Sequence, residues 1–181
     1  MRQLCPRADT ETCEREAAGM LAEAGIPSGT RPIVCPWLRE GLTVVCPDWK
    51  ATTLAEELEI RRVTAGIVAG WIVERQTPAL YQPYYMTRSF WRDDIAYWKR
   101  VPLAAFVSWH FRGLREEHAA AFNDVLLHRL DNNLLTVVSL SAHPSFLLPR
   151  WPTDEAIVDA LRKPDFFVRV GRSNPRINKV L

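Results

Sequence analysis

His110, Arg112, Arg115, Glu116, Glu117 and His118 crowd into nine residues of the stretch Phe106-Val-Ser-Trp-His-Phe-Arg-Gly-Leu-Arg-Glu-Glu-His. The stretch passes from an apolar run into a helical pattern, so its cations stand where a helix begins. There the first backbone N–H groups lack partners within the helix and the dipole is positive, which suits an anion. Arg112 is placed to hold a phosphate through its planar fork. Glu116, one turn on, offers a hard oxygen ligand for Mg2+ or a base to orient a water. On a helical wheel Arg112, Arg115, Glu116, Ala119 and Asn123 share the face opposite the apolar stripe, and the small Ala119 leaves that face open. The same spacing also makes Arg112 and Glu116 an ordinary solvated ion pair, worth about 0.3–0.5 kcal/mol. His118 falls on the apolar stripe and reads as a hydrogen-bonded core histidine.

The elements that must position these groups follow from periodicity. A strand over 103–108 leads into a helix over 110–130, whose inner stripe is Phe111, Leu114, His118, Phe122, Val125 and Leu126. Asp131-Asn-Asn ends it, and 134–140 is another apolar strand. A short helix capped by Thr153 and stopped by Pro164 precedes a last strand over 166–170 and a basic tail. Upstream, acidic first turns and Gly25 bound a helix over 11–24. Strands near 31–36 and 41–46 form a β-hairpin around Leu38-Arg39-Glu40-Gly41. Thr53 and Glu56 have capping-box spacing and open a short helix through Arg61. The β-branched run over 65–73 reads as a buried strand, its two glycines marking close backbone approach or a bulge. An aromatic loop over 76–88 and a helix over 90–99, with Trp91, Ile95 and Trp98 on one face, complete the chain. The alternation predicts an α/β (or α+β) fold with a mixed sheet. Residues 1–64 form an acidic N-terminal helix, hairpin and short helix, and residues 65–181 an α/β core with a basic tail.

Charge and aromatic content bear on partners. Residues 1–60 carry a balance of −4, residues 61–130 of +4 and residues 131–181 of +2. Arginine outnumbers lysine 19 to 4, which suits bidentate phosphate contact but also follows from a GC-rich genome. The last sixteen residues hold Arg169, Arg172, Arg176 and Lys179 with no acidic side chain. With Arg115 they are the candidate nucleic-acid contacts. Trp91, Arg92, Trp98 and Arg100 offer an aromatic and basic surface for single strands, or else simple packing. Cys5, Cys13, Cys35 and Cys46 lack any Cys-x-x-Cys knuckle, so buried thiols are expected and no zinc; a metal site or a redox pair is the alternative. The Cys-Pro ends at Cys35 and Cys46 are expected near each other across the hairpin.

The sequence has no Gly-x-Gly-x-x-Gly, no Gly-x-x-x-x-Gly-Lys-Ser/Thr, no His-Glu-x-x-His and no Gly-x-Ser-x-Gly. Conventional nucleotide-binding domains, zincins and α/β-hydrolases are therefore poor readings. The strand, His/Arg turn, helix and strand over 103–140, with Ser108-Trp109-His110-Phe111-Arg112 and Ala119 to Ala121, resembles the core of the ParB/sulfiredoxin group. With length and composition it is similar to plasmid fertility-inhibition proteins of that group. The resemblance implies a protein acting on DNA, with nuclease and ATPase activity that blocks conjugative or T-DNA-type transfer. It implies Mg2+ and ATP as cofactors, and nominates His110, Arg112 and Glu116 as reactive groups. A non-catalytic protein that binds a secretion or conjugation component through the aromatic loop and helix 90–99 is the alternative. No stretch approaches the roughly 20 apolar residues of a membrane span, and the N-terminus lacks a signal-like apolar region. A cytoplasmic location is expected, with peripheral association at the inner membrane left open.

Overall fold

Leu42-Thr-Val-Val-Cys-Pro is an unbroken buried run, the pattern of a strand covered on both faces. A computed structural model describes residues 10–83, 95–107, 116–147, 155–171 and 175–179. In chain order its elements are α1 (Thr10–Glu23), β1 (Leu42–Pro47), α2 (Leu54–Arg75), β2 (Ala79–Pro83), α3 (Ile95–Arg100), β3 (Leu103–Val107), α4 (Glu116–Asp131), β4 (Leu135–Ser139), a 3-10 turn (Pro144–Phe146), α5 (Glu155–Arg162), β5 (Phe166–Val170) and β6 (Pro175–Lys179). The sheet order is β2-β3-β4-β1-β5-β6. Neighbours from β2 to β5 run parallel, and β6 lies antiparallel on β5. The fold is α/β with a mixed sheet.

Alternate residues of each strand feed two separate cores. Val45, Leu103, Ala105, Val107, Val137 and Val168 meet α2 on one side. Val44, Cys46, Ala104, Phe106 and Val138 meet Phe122, Val125 and Leu126 of α4 and Ile157 and Leu161 of α5 on the other.

Four expectations change here. The short helix to Arg61 and the strand over 65–73 are one helix, α2, which also runs through the position of the expected boundary between 64 and 65. Positions 63 to 72 of it are all buried, so apolar residues surround the helix and leave no 3.6-residue periodicity to read. The glycines do mark close approach: the segment around Ile33 crosses α2 there, and Ile33 N–H donates to the Gly66 carbonyl at 2.7 Å.

The hairpin over 31–46 does not form. β1 has both of its edges taken, by β4 on one side and β5 on the other. Residues 31–35 make no strand and lie over α2 instead. In consequence Cys35 packs in the core on the α2 side of the sheet and Cys46 in the opposite one. The two buried free thiols are thus not neighbours across a hairpin. Burial pushes them up to about 11 and about 12, with Glu74 adding to the rise at Cys35 and Arg169 opposing it at Cys46. The third change is at the C-terminus, where the basic tail contains a strand, β6. The fourth is in the aromatic loop expected over 76–88, where Ala79–Pro83 is strand β2, paired in parallel with β3.

Candidate functional site

In open α/β sheets ligands gather outside the carboxyl ends of the parallel strands. Here that edge begins with Asp48, Trp49 and Lys50 after β1, and with Ser141, Ala142 and His143 after β4. The two connections are hydrogen-bonded to each other. Ala51 N–H donates to the Ser141 carbonyl (2.8 Å), His143 N–H donates to the Trp49 carbonyl (2.7 Å), and Lys50 and Ala142 form an antiparallel bridge. Trp49 stands edge-on to Phe146 with centroids 4.4 Å apart, and Lys50 Nζ lies 4.8 Å from the Phe146 ring centre. Trp49 stays 67% exposed despite this contact.

α2 starts at the same edge, and its first turn supplies its own cap. Thr53 is the N-cap: its hydroxyl accepts from Glu56 N–H at 3.2 Å, completing the capping box expected from the spacing. One Glu56 carboxylate oxygen accepts from Thr52 N–H (2.8 Å), the Thr52 hydroxyl (3.0 Å) and Thr53 N–H (3.1 Å). Those hydrogen bonds, the Thr52 backbone first, hold its carboxyl down at about 2 from an ordinary 4.5. The folded chain therefore binds this proton less tightly than the unfolded one. The cap adds stability above pH 4.5, and that contribution disappears as pH falls through about 2. Glu56→Gln is expected to flatten the acid limb of the stability curve across this window. Urea midpoints measured against pH check it, and an acid limb identical to wild type would refute it.

The third group of side chains sits where β5 lies beside β1. Arg169 pairs in register with Cys46 on one side and with Arg176 of β6 on the other. Its Nε is out of water and meets no acceptor among the described residues. His143 stacks on Phe167, 5.8 Å between centres at 18°. Its Nδ1 accepts from Ser145 N–H at 3.3 Å and lies 2.8 Å from the Ser145 hydroxyl. Burial and the nearby Arg169 hold the imidazole below its usual 6.5, against an opposing pull from Asp48, so the ring is neutral near pH 7.

Of the residues nominated from sequence, His110, Arg112, Arg115 and Arg172 lie outside the described residues. Glu116 is the first residue of α4, and Arg176 and Lys179 are placed in β6 by backbone register alone. Trp91 and Arg92 also lie outside. Trp98 is buried against Phe106, so it is core and not part of a stacking surface. Sequence reasoning passed over Arg129, which is fully buried. The signal was present: Arg129 continues the stripe of Phe122, Val125 and Leu126 at helical spacing.

Neither family models nor curated proteins match the chain. Among solved structures, AMPPCP-bound DnaA from Aquifex aeolicus is similar in fold (12% identity, TM-score 0.53), covering 93% of this chain and 51% of that one. The replication initiator DnaA bound to AMPPCP and single-stranded DNA (12%, TM-score 0.46) covers 89% and 49%, and DnaI (13%, TM-score 0.42) covers 89% and 79%. The chain thus spans about half the length of the two DnaA structures. The likeness to the first is one of fold alone, an α/β core with a largely parallel sheet.

This overturns the resemblance to the ParB/sulfiredoxin group and to its fertility-inhibition protein Osa. The strand–helix–strand unit over 103–140 that carried it is β3–α4–β4, a crossover between adjacent parallel strands. Such a unit belongs to any parallel α/β sheet and does not discriminate among them. Among the described residues no helix is long and apolar enough to cross a membrane, and no group of His, Cys, Asp or Glu is arranged to hold a metal.

Proposed function

We propose that the chain is a DNA-associated binding domain that grips the phosphate backbone through the β5–β6 edge. One observation carries the reading: the register sets Arg176 directly opposite Arg169, whose Nε has no acceptor among the described residues. Like charges in opposed positions destabilise a sheet edge. A bound polyanion removes that penalty. Arg172 and Lys179 extend the same basic segment, in which no acidic residue follows Asp165.

Because 175–179 is a strand, substitution tests the edge better than truncation, which would strip β5 of a neighbour. The double change Arg169→Ala and Arg176→Ala is expected to weaken DNA binding. It should also reduce the slope of log affinity against log salt by about 1.8, or about 0.9 for each phosphate no longer neutralised. Fluorescence anisotropy with single- and double-stranded oligonucleotides reads this, and an unchanged slope would remove the edge from the interface. Running the assay with Mg2+ also examines cleavage, for which Arg112→Ala and Glu116→Gln are the informative variants and His110 the candidate proton carrier.

One observation favours a second reading, a protein partner. Trp49, Leu54 and Leu58 are 67%, 68% and 50% exposed where α2 begins, with Leu54 and Leu58 four residues apart. Large apolar side chains left in water at one place mark a contact surface. Leu58→Glu separates the readings, since it abolishes a protein contact and leaves DNA binding unchanged.

A further inference from the structure

We infer that the joint between β1 and α2, where P-loop folds hold the phosphates of a nucleoside triphosphate, is closed in this chain, so that the domain works without nucleotide at that position. The inference stands apart from the nucleic-acid reading. A phosphate cradle needs backbone N–H groups turned into one concavity, glycines that let the chain wrap closely, and a Lys-Ser/Thr pair entering the helix. From β1 to the N-cap this chain reads Pro47-Asp-Trp-Lys-Ala-Thr-Thr53, without a glycine and with Ala51 after Lys50.

Four backbone donors of this joint are already engaged. Ala51 N–H goes to the Ser141 carbonyl, Thr52 N–H and Thr53 N–H go to Glu56, and Glu56 N–H goes to the Thr53 hydroxyl. The Glu56 carboxylate thus stands as an internal anion at the helix terminus, where the dipole favours a negative charge. An incoming phosphate would have to displace it and then lie beside its charge. Lys50, the cation of the loop, lies over Phe146. The antiparallel bridge between Lys50 and Ala142 pins the loop to the connection after β4 and opposes the opening a ligand would need.

Among the described residues the same edge offers little to a metal ion. Mg2+ carried with a nucleotide takes hard oxygen ligands, normally carboxylates. Among the described residues that directly follow the parallel strands (Asp48, Trp49, Leu140, Ser141 and Gly171), Asp48 is the one carboxylate. The residues described at this joint do not fit Mg2+·ATP, although the AMPPCP-bound DnaA shares the fold.

Isothermal titration of the full chain with Mg2+·ATP and Mg2+·ADP tests this, together with melting temperatures at roughly millimolar nucleotide, enough to saturate a site of micromolar affinity. The expected result is no saturable heat and an unchanged melting temperature. Stoichiometric binding that Lys50→Ala abolishes would overturn the inference. Binding that survives Lys50→Ala and Thr52→Ala would lie elsewhere and leave the closed joint standing. DNA binding measured on the same sample without nucleotide separates a failure here from a failure of the nucleic-acid reading.

Discussion

Arg129→Met is expected to cost about 3–5 kcal/mol, enough to unfold the domain at moderate urea. The guanidinium is fully buried and donates from every nitrogen. Nε bonds Thr136 Oγ1 (3.0 Å), Nη1 bonds the Trp98 and Val101 carbonyls (2.7 and 2.8 Å), and Nη2 bonds the Leu135 carbonyl (2.6 Å) and reaches that of Pro102 (3.5 Å). Trp98 lies in α3 and Val101 just beyond it, so the arginine satisfies carbonyls that the end of a helix leaves without partners. It also ties the start of β3 to the start of β4. No carboxylate is among these partners, and burial holds its pKa down at about 10, so carbonyl dipoles stabilise the charge. Methionine keeps much of the volume and strands those carbonyls in a dry core, where each unmade bond costs about 1–3 kcal/mol. Arg129→Lys should be nearly as damaging, since a point ammonium with three donors cannot span the set. Urea denaturation decides the matter, and a loss under about 1 kcal/mol for Arg129→Met would show the network to be dispensable.

Gly70→Ala should destabilise by about 2 kcal/mol despite the better helix propensity of alanine, worth about 1 kcal/mol. A Cβ there would stand 2.1 Å from the Ile33 carbonyl oxygen and 2.4 Å from its carbon, both backbone atoms that cannot turn aside. At Gly66 the nearest atom is Ile33 Cδ1 at 2.8 Å, a side-chain end that can rotate, so Gly66→Ala should cost less even with the Arg31 carbonyl oxygen at 2.9 Å. Gly19→Ala in α1 is the control: its Cβ would meet nothing within 4 Å, and the change should stabilise by about 0.4–1 kcal/mol. Thermal melts of the three variants give the order, and a neutral Gly70→Ala would mean that residues 31–35 do not lie against α2.

The contrast between these two regions explains what was legible. Strands β3 and β4 are short apolar runs buried on both faces, β5 is a mostly apolar run buried on one, and the sequence limits of all three fall within about one residue of those found. In α2, burial all round erased the helical period, and β-branched Ile67, Val68 and Ile72 gave the run the look of a strand. Tertiary packing outweighed local preference there. The hairpin failed for a different reason. The partners of β1 lie about ninety and more residues downstream, and parallel pairing leaves no local mark. β6 begins at Pro175 and carries charge along an edge strand, so it reads as a tail. The cap at Thr53 and Glu56 was readable because its bonds are local. Its consequence for phosphate binding depends on Ser141 and His143, which only the fold brings alongside.

The central place of β1 also sets a timetable. Residues 42–47 pair with 135–139 and 166–170, so the middle strand of the sheet waits for nearly the whole chain to leave the ribosome. At about 5–20 residues per second of synthesis, that leaves β1 without neighbours for several seconds to tens of seconds. Both edges of a six-residue apolar strand and the uniformly apolar middle of α2 stay uncovered for that interval. Non-local pairing of this kind makes folding slow and leaves the chain exposed to association with its own copies until β5 arrives.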